Sequence, residues 1–295
     1  MTTPVISKAI DPARKGLSKS TLVAGTFCLR KAYFTERIVD AQGRRVPFEA
    51  NAAMAFGSAL DAATLFALYQ IRAGDDYLTA EAVEYGLADL RDDILALGVD
   101  PAEMRLELTQ AMDEFRPEAA RLVELTAGGK IWLQGWDGAS LSSGDLIGTP
   151  DIILEPAEIT GTPWIVDIKA AKRRKTPHDL WGAELSFYST LYGMVRPERP
   201  LPAVAYLSWV RTKSPAWQFL PGEASPTHAL LAAQHVGVTR SALRAQSADE
   251  VPFNSGMCGT CQWNRPRLDY GFSGCAVGKA IVEAQAEAAG AEEVA

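Results

Sequence analysis

The chain has 295 residues, 47% of them hydrophobic and 22% charged, with a formal net charge of −7. A chain of this length holds one large or two small domains and buries roughly three-quarters of its unfolded surface without a staple. The hydrophobic content excludes a disordered chain, no apolar run reaches the ~18 residues of a membrane span, and the polar stretch 1–16 lacks a secretory signal's apolar core, so a cytoplasmic protein with no membrane partner is expected.

Residues 1–16 read as a loose, flexible arm. Leu17 to Phe34 reads as a short helix opened by Ser18 or Ser20 as N-cap, with Cys28 inside or at its end. Residues 40–49 carry Gly43 and Pro47 and read as a loop. Asn51 to Tyr69 is apolar almost all round, which predicts a buried helix. Thr79 to Gly98 predicts a second helix with Leu87, Leu90, Ile94 and Leu97 on one face. Asp100, Pro101 and Glu103 mark a helix start, and that helix should run to about Thr126 and stop at Gly128-Gly129.

The texture then changes. Ile131 to Trp136, Asp145 to Leu154 and Trp164 to Lys169 read as three strands separated by turn residues. A helix follows from about His178 to Val195, ended by Pro197. Ala203 to Val210 reads as a strand, Trp217 to Leu220 as a further short one, and Thr227 to Ala245 as a helix. Phe253 to Cys275 has no periodicity but holds three cysteines, and the tail 279–295 is rich in Ala and Glu. The order predicts an α/β core (130–220) preceded by a helical subdomain (51–128) and followed by a cysteine segment (253–275), all within one domain over 17–278.

Three clusters carry chemistry. Gly148-Thr149-Pro150-Asp151 precedes Val166-Asp167-Ile168-Lys169. Asp167 and Lys169 share a strand face, because side chains alternate along a strand. Asp151 begins the outgoing half of a neighbouring strand. Two carboxylates and an ammonium at one spot make a hard-cation site beside a fixed positive charge, suited to magnesium or manganese. The competing reading is a surface salt-bridge ladder. Glu184 and Tyr188, four apart on the next helix, share a face at the edge of that site; on their own they read as a solvated Glu and a partly buried Tyr. The four cysteines form the third cluster: Cys258-Gly259-Thr260-Cys261 is a C-x₂-C pair, Cys275 follows, and Cys28 lies far upstream. Together they can make one tetrathiolate site for zinc or an iron–sulfur cluster. Against that stands the reading of four unrelated thiols.

Lys172, Arg173, Arg174 and Lys175 follow Lys169 and form a local basic lip on an acidic chain, placed for a DNA backbone. Trp132, Trp136, Trp164 and Trp181 offer base-stacking surface or core.

Leu17 to Phe34, with Cys28 inside it, resembles the opening of RecB-type nucleases of the PD-(D/E)xK superfamily, in particular its iron–sulfur branch, which includes CRISPR-associated exonucleases and AddB-type nuclease domains. Phe56 to Asp61 is similar to that family's first motif, Gly148 to Asp151 to the second, Asp167 to Lys169 to the third, and Glu184 to Tyr188 to the fourth. The likeness runs over about 17–278. Departures are Asp61 where the family has His, Glu184 where it has Gln, Leu29 where it has Pro, and a longer gap from Cys261 to Cys275. The resemblance implies a restriction-endonuclease-like fold, a mixed sheet flanked by helices. It implies a metal-dependent exonuclease acting on single-stranded DNA ends in phage or bacterial recombination, repair or CRISPR-related processing. Mg²⁺ or Mn²⁺ would be held by Asp61, Asp151, Asp167 and the Ile168 carbonyl, with Lys169 assisting the attacking water. A [4Fe–4S] cluster would be held by Cys28, Cys258, Cys261 and Cys275, with Zn²⁺ as the alternative. The rival readings are an inactive DNA-binding or adaptor protein of the same fold and a zinc-stabilised interaction module.

Overall fold

The computed structural model describes residues 17–38, 51–88, 97–137, 139–254, 258, 261–264, 272–280 and 283. The expected arm, the 40–49 loop, Leu90, Ile94 and most of the tail lie outside them. The described chain is a mixed α/β structure whose strands form two sheets flanked by helices. It divides into two compact units. One takes described residues 17–38, 144–146 and those from 233 onward; the other takes 51–143 and 147–232.

In the larger unit, α3 (Ala52–Ala73) begins at Asn51, whose side chain accepts from the Met54 N–H at 3.1 Å. It ends at Gly74, whose φ of +92° suits a residue without a Cβ. α3 is the core helix of this unit: Phe56, Ala59, Leu60, Ala63 and Leu68 are all buried in one apolar cluster. Each large side chain buried in this way contributes about 1.5–3 kcal/mol. By length and composition alone α3 is long and apolar enough to cross a membrane, with a mean hydropathy of 1.4 over 18 residues, half of them buried inside the protein. This corrects the expectation that no apolar run is long enough. Asp61 and Arg72 interrupt the helix, so its uninterrupted apolar stretches are shorter than the helix itself.

α4 (Thr79–Ala88) packs on α3. Gly86 makes this possible, since a Cβ there would lie 2.4 Å from the Ala59 carbonyl oxygen. Asp100 caps α5 (Pro101–Asp113) through the Ala102 N–H, as the sequence predicts. The helix does not run on to Thr126. Pro117 has no N–H to donate into a continuing ladder, so the chain resets at Glu114 and Phe115 and starts α6 (Arg116–Leu125) with that proline in its first turn.

The five-stranded sheet has the order β2–β5–β6–β7–β8, from β2 (Lys130–Leu133), β5 (Ile152–Glu155), β6 (Trp164–Ala171), β7 (Ala203–Val210) and β8 (Ala216–Gly222). β2, β5 and β6 are successively antiparallel, β6 and β7 are parallel, and β7 and β8 are antiparallel. The parallel step needs a crossover, supplied by α7 (Ala183–Val195). All eight residues of β7 are buried, so this central strand is covered on both faces. Of two further short strands, β3 (Leu141–Ser143) is not among those expected from the sequence, and β4 (Leu146–Gly148) is the first part of the strand expected over Asp145–Leu154. The single strand expected over Asp145–Leu154 breaks at Thr149-Pro150-Asp151, where Pro150 cannot donate to a ladder. The helix expected from His178 is a 3-10 turn, Pro177–Trp181, followed after Gly182 by α7.

In the smaller unit the helix expected over Leu17–Phe34 is two helices, α1 (Lys19–Phe27) and α2 (Leu29–Arg37). They meet at Cys28, whose backbone is extended. Ser18 is the N-cap of α1, accepting from the Thr21 N–H at 3.3 Å. Leu17, in the two-residue strand β1 (Leu17–Ser18), donates its N–H to the Asp145 carbonyl at 2.5 Å. α8 (Thr227–Arg244) begins in the larger unit and ends in this one. It comes close to α1 at Gly25, where a Cβ would lie 2.8 Å from Thr239 Oγ1. The core of this unit gathers Tyr33, Phe34, Ile38, Val251, Trp263 and Cys275.

Candidate functional site

β6 presents two chemically different faces. Val166 and Ile168 point into the apolar cluster built on α3. Asp167 and Lys169 point the other way, toward α7, where Glu184 stands in its first turn. The Lys169 ammonium lies 2.5 Å from Asp167 Oδ2 and 3.2 Å from Glu184 Oε2. Asp167 is 1% exposed, so its charge depends on that company. Burial opposes the charge of Lys169, but Asp167, Glu184 and Asp151 together hold its pKa well above the usual lysine value.

Asp151 stands just before β5, where the β5–β6 ladder ends at the Ile152–Val166 rung. Its carboxylate supplies the next one, accepting the Ile168 N–H at 2.7 Å. This is how a residue outside the strand reaches the Asp167 side chain's neighbourhood. Tyr188 donates its hydroxyl to the Thr149 carbonyl at 2.8 Å and so fixes the turn that carries Asp151. Burial, followed by the nearby carboxylates, pushes its phenol pKa far up, so it stays a neutral donor. Gly148 is required beneath it, since a Cβ there would lie 2.9 Å from the Tyr188 ring.

The structure therefore brings Asp151, Asp167, the Ile168 backbone, Lys169, Glu184 and Tyr188 together. Asp61 lies on α3, which packs against β6. Tyr206 belongs to the same group and was not read from the sequence. It is the β7 partner of Asp167, and burial, then Asp167 and Glu184, raise its phenol pKa. Its signal was hidden because a tyrosine in an unbroken apolar strand reads as core.

The basic lip divides. Arg173 is held by both oxygens of Asp179, at 3.1 and 3.2 Å. Lys175 lies over the Tyr206 ring, 4.8 Å from its centroid. Lys172 lines a separate cavity of about 280 Å³ with Phe56, Glu103, Glu107 and Arg211. Arg174 is exposed and lends its carbonyl to Arg173. Of the tryptophans, Trp132 donates to Glu155, Trp136 stacks on Tyr69, and Trp164 packs on Phe219. Trp181 is half-exposed.

The cysteines lie in the smaller unit, and all four are free thiols. Cys258 and Cys261 are joined by a turn, the Cys261 N–H donating to the Cys258 carbonyl at 3.1 Å. Cys275 is tied to the same segment through its N–H and the Trp263 carbonyl, at 2.6 Å. Burial, then the thiols of Cys28, Cys261 and Cys275, push the Cys258 pKa up, so the four share one neighbourhood. Among the described residues no three His, Cys, Asp or Glu side chains are drawn together as a metal-holding group, here or at the carboxylates.

No family model matches the chain, and no curated protein does. Among solved structures, the crystal structure of SSO0001 matches at 14% identity and a TM-score of 0.26, covering 79% of this chain and 91% of that one. A likeness of that quality carries no argument about fold or function.

Proposed function

We propose that the protein is a metal-dependent DNA nuclease of the PD-(D/E)xK type, built on a restriction-endonuclease-like core and acting on single-stranded ends. The observation that carries the reading is the convergence of Asp151, Asp167 and Glu184 on the single ammonium of Lys169, at the point where β5 and β6 part. A structural salt-bridge ladder on a solvated strand would not bury Asp167 or take its third carboxylate from a separate helix.

The donor set is all oxygen, which suits a hard divalent cation. Asp151, Asp167 and the Ile168 carbonyl would hold Mg²⁺ or Mn²⁺, with Asp61 and Glu184 as further oxygen donors. Such a cation, when bound, polarises a phosphate oxygen and makes a bound water more acidic. Lys169 keeps its positive charge among the carboxylates, so its part is to orient the water and to neutralise charge developing on the phosphate. Tyr188 holds the Thr149–Asp151 turn in place. Lys172, Arg174 and Lys175 offer cationic contacts to the DNA backbone.

Cys28, Cys258, Cys261 and Cys275 would hold a [4Fe–4S] cluster, with Zn²⁺ as the alternative occupant of the same thiols. What supports this is their shared neighbourhood in a unit with a small apolar core, where metal–thiolate bonds would add folding energy. The test of the nuclease reading is digestion of end-labelled single-stranded and duplex DNA with Mg²⁺, Mn²⁺ or EDTA. Shortening of the single strand that requires the metal is expected. No cleavage of either DNA under any condition would favour the inactive DNA-binding or adaptor reading.

A further inference from the structure

The segment between β6 and α7 is pinned at several points. The Thr176 N–H and hydroxyl both donate to Asp179 Oδ2 at 2.8 Å, and Arg173 grips the same carboxylate. Gln218 clasps the backbone of Lys175 from both sides, accepting its N–H at 2.8 Å and donating to its carbonyl at 2.9 Å. This clasp sets the Lys175 ammonium over the Tyr206 ring. The turn ends at Trp181, directly before Gly182, and a Cβ on Gly182 would lie 3.7 Å from the Tyr206 hydroxyl. Tyr206 in turn borders Asp167 on the neighbouring strand.

Trp181 is backed by a buried imidazole and remains partly open to solvent. Its ring stacks on the His228 imidazole with centroids 4.7 Å apart and planes at 23°. His228 is 1% exposed and is locked by a hydrogen bond between its Nδ1 and Ser186 Oγ at 3.0 Å. Burial holds the imidazole pKa below its usual value, so the ring behind the indole is neutral at physiological pH. Trp181 as a whole is 42% exposed. Folding alone gives no reason to build a rigid support beneath a large aromatic ring and then leave so much of that ring in water. A flat, supported aromatic face, with the half-buried Lys175 ammonium on the Tyr206 ring of the same turn, is an arrangement that can bind an unpaired base and its backbone.

We propose that Trp181 is a base-stacking site at the entrance to the carboxylate cluster, taking the face of an unpaired base while Lys175 takes a neighbouring phosphate. The inference rests on the nuclease reading and adds to it the residue that grips the base. Bases within a duplex are already stacked and offer no free face, so the contact selects single strands.

The test uses the full-length chain in EDTA, where binding is separated from cleavage. Anisotropy of a labelled oligothymidine is compared with that of a labelled duplex. Trp181→Leu keeps an apolar cover over His228 but removes the π-face, and should weaken single-strand binding by about tenfold or more. Trp181→Phe should stay within about threefold of the parent, since every aromatic ring offers a stacking face. Duplex binding should be the same in all three. A second readout needs only the parent and Trp181→Phe: oligothymidine should quench tryptophan fluorescence in the parent, and much of that quenching should vanish in the variant. A parent that binds neither DNA overturns the nuclease reading and this site with it. A parent that binds, with Trp181→Leu equally tight on single strands or equally weakened on both DNAs, overturns the stacking site alone, as does unchanged quenching in Trp181→Phe.

Discussion

Lys169→Met keeps the length of the side chain and removes its charge. In the structure that charge is 2.5 Å from Asp167, whose side chain is 1% exposed, and 3.2 Å from Glu184. Removing one partner of a buried pair costs about 3–5 kcal/mol, because the other charge is left in a poor solvent. The lysine side chain is 30% exposed, and water reaching it reduces the effect toward about 2–3 kcal/mol. Urea unfolding of metal-free protein measures this directly. Adding Asp167→Asn to the variant should recover much of the loss, since a neutral amide does not need an ammonium nearby. The double-mutant cycle should therefore show a coupling of about 1–3 kcal/mol. Divalent metal binding should survive in Lys169→Met, because an oxygen donor set is left without its competing cation. A loss below about 0.5 kcal/mol, or strictly additive single effects, would refute the idea that this buried carboxylate is held by the lysine.

Gly148→Ala places a methyl group 2.9 Å from the Tyr188 ring and should cost about 1–3 kcal/mol in thermal or urea unfolding. Gly237→Ala in α8 meets nothing within 4 Å and should instead stabilise by up to about 1 kcal/mol; the same sign for both would contradict the packing argument. Burial lowers the pKa of both His228 and His235. As pH falls below about 6.5 the unfolded chain takes up protons before the folded one, so the stability present above that pH is lost toward the lowered folded values. Melting temperatures between pH 8 and pH 5 check this, and the fall should be shallower in His228→Gln. Protein purified without oxygen should be brown and carry iron, and Cys258→Ser should lose both. A colourless protein with one zinc would assign the thiols to the alternative metal.

Elements bounded by strong local signals were legible in the sequence. Ala203–Val210 is an apolar run between Pro202 and Arg211, and β7 has those limits. Asp100-Pro101 fixed the start of α5, and the period-2 pattern put Asp167 and Lys169 on one face. What escaped depends on backbone details with a weak local signature. Pro117 splits a helix while sitting comfortably in the first turn of the next, so the pattern alone reads straight through it. The break at Cys28 has no Gly or Pro to announce it. Within the site, Asp151, Asp167, Lys169 and Glu184 were readable because charged residues in apolar strands and helices stand out. Tyr206 and the Gln218 clasp on Lys175 were not, because they depend on neighbours more than thirty residues away along the chain.

The most direct measurement is the single-turnover rate of shortening of an end-labelled single strand in Mg²⁺, for the parent and for Asp167→Asn, with folding and DNA binding verified in EDTA for both. Asp167→Asn keeps the shape of the side chain and removes one oxygen ligand and its charge. Asp167→Asn should bind DNA as the parent does and cut it at least about a thousandfold more slowly, a loss of about 4 kcal/mol in transition-state stabilisation. Cleavage by Asp167→Asn at the parental rate, or parental cleavage that persists in EDTA, would contradict metal-dependent cleavage at this site.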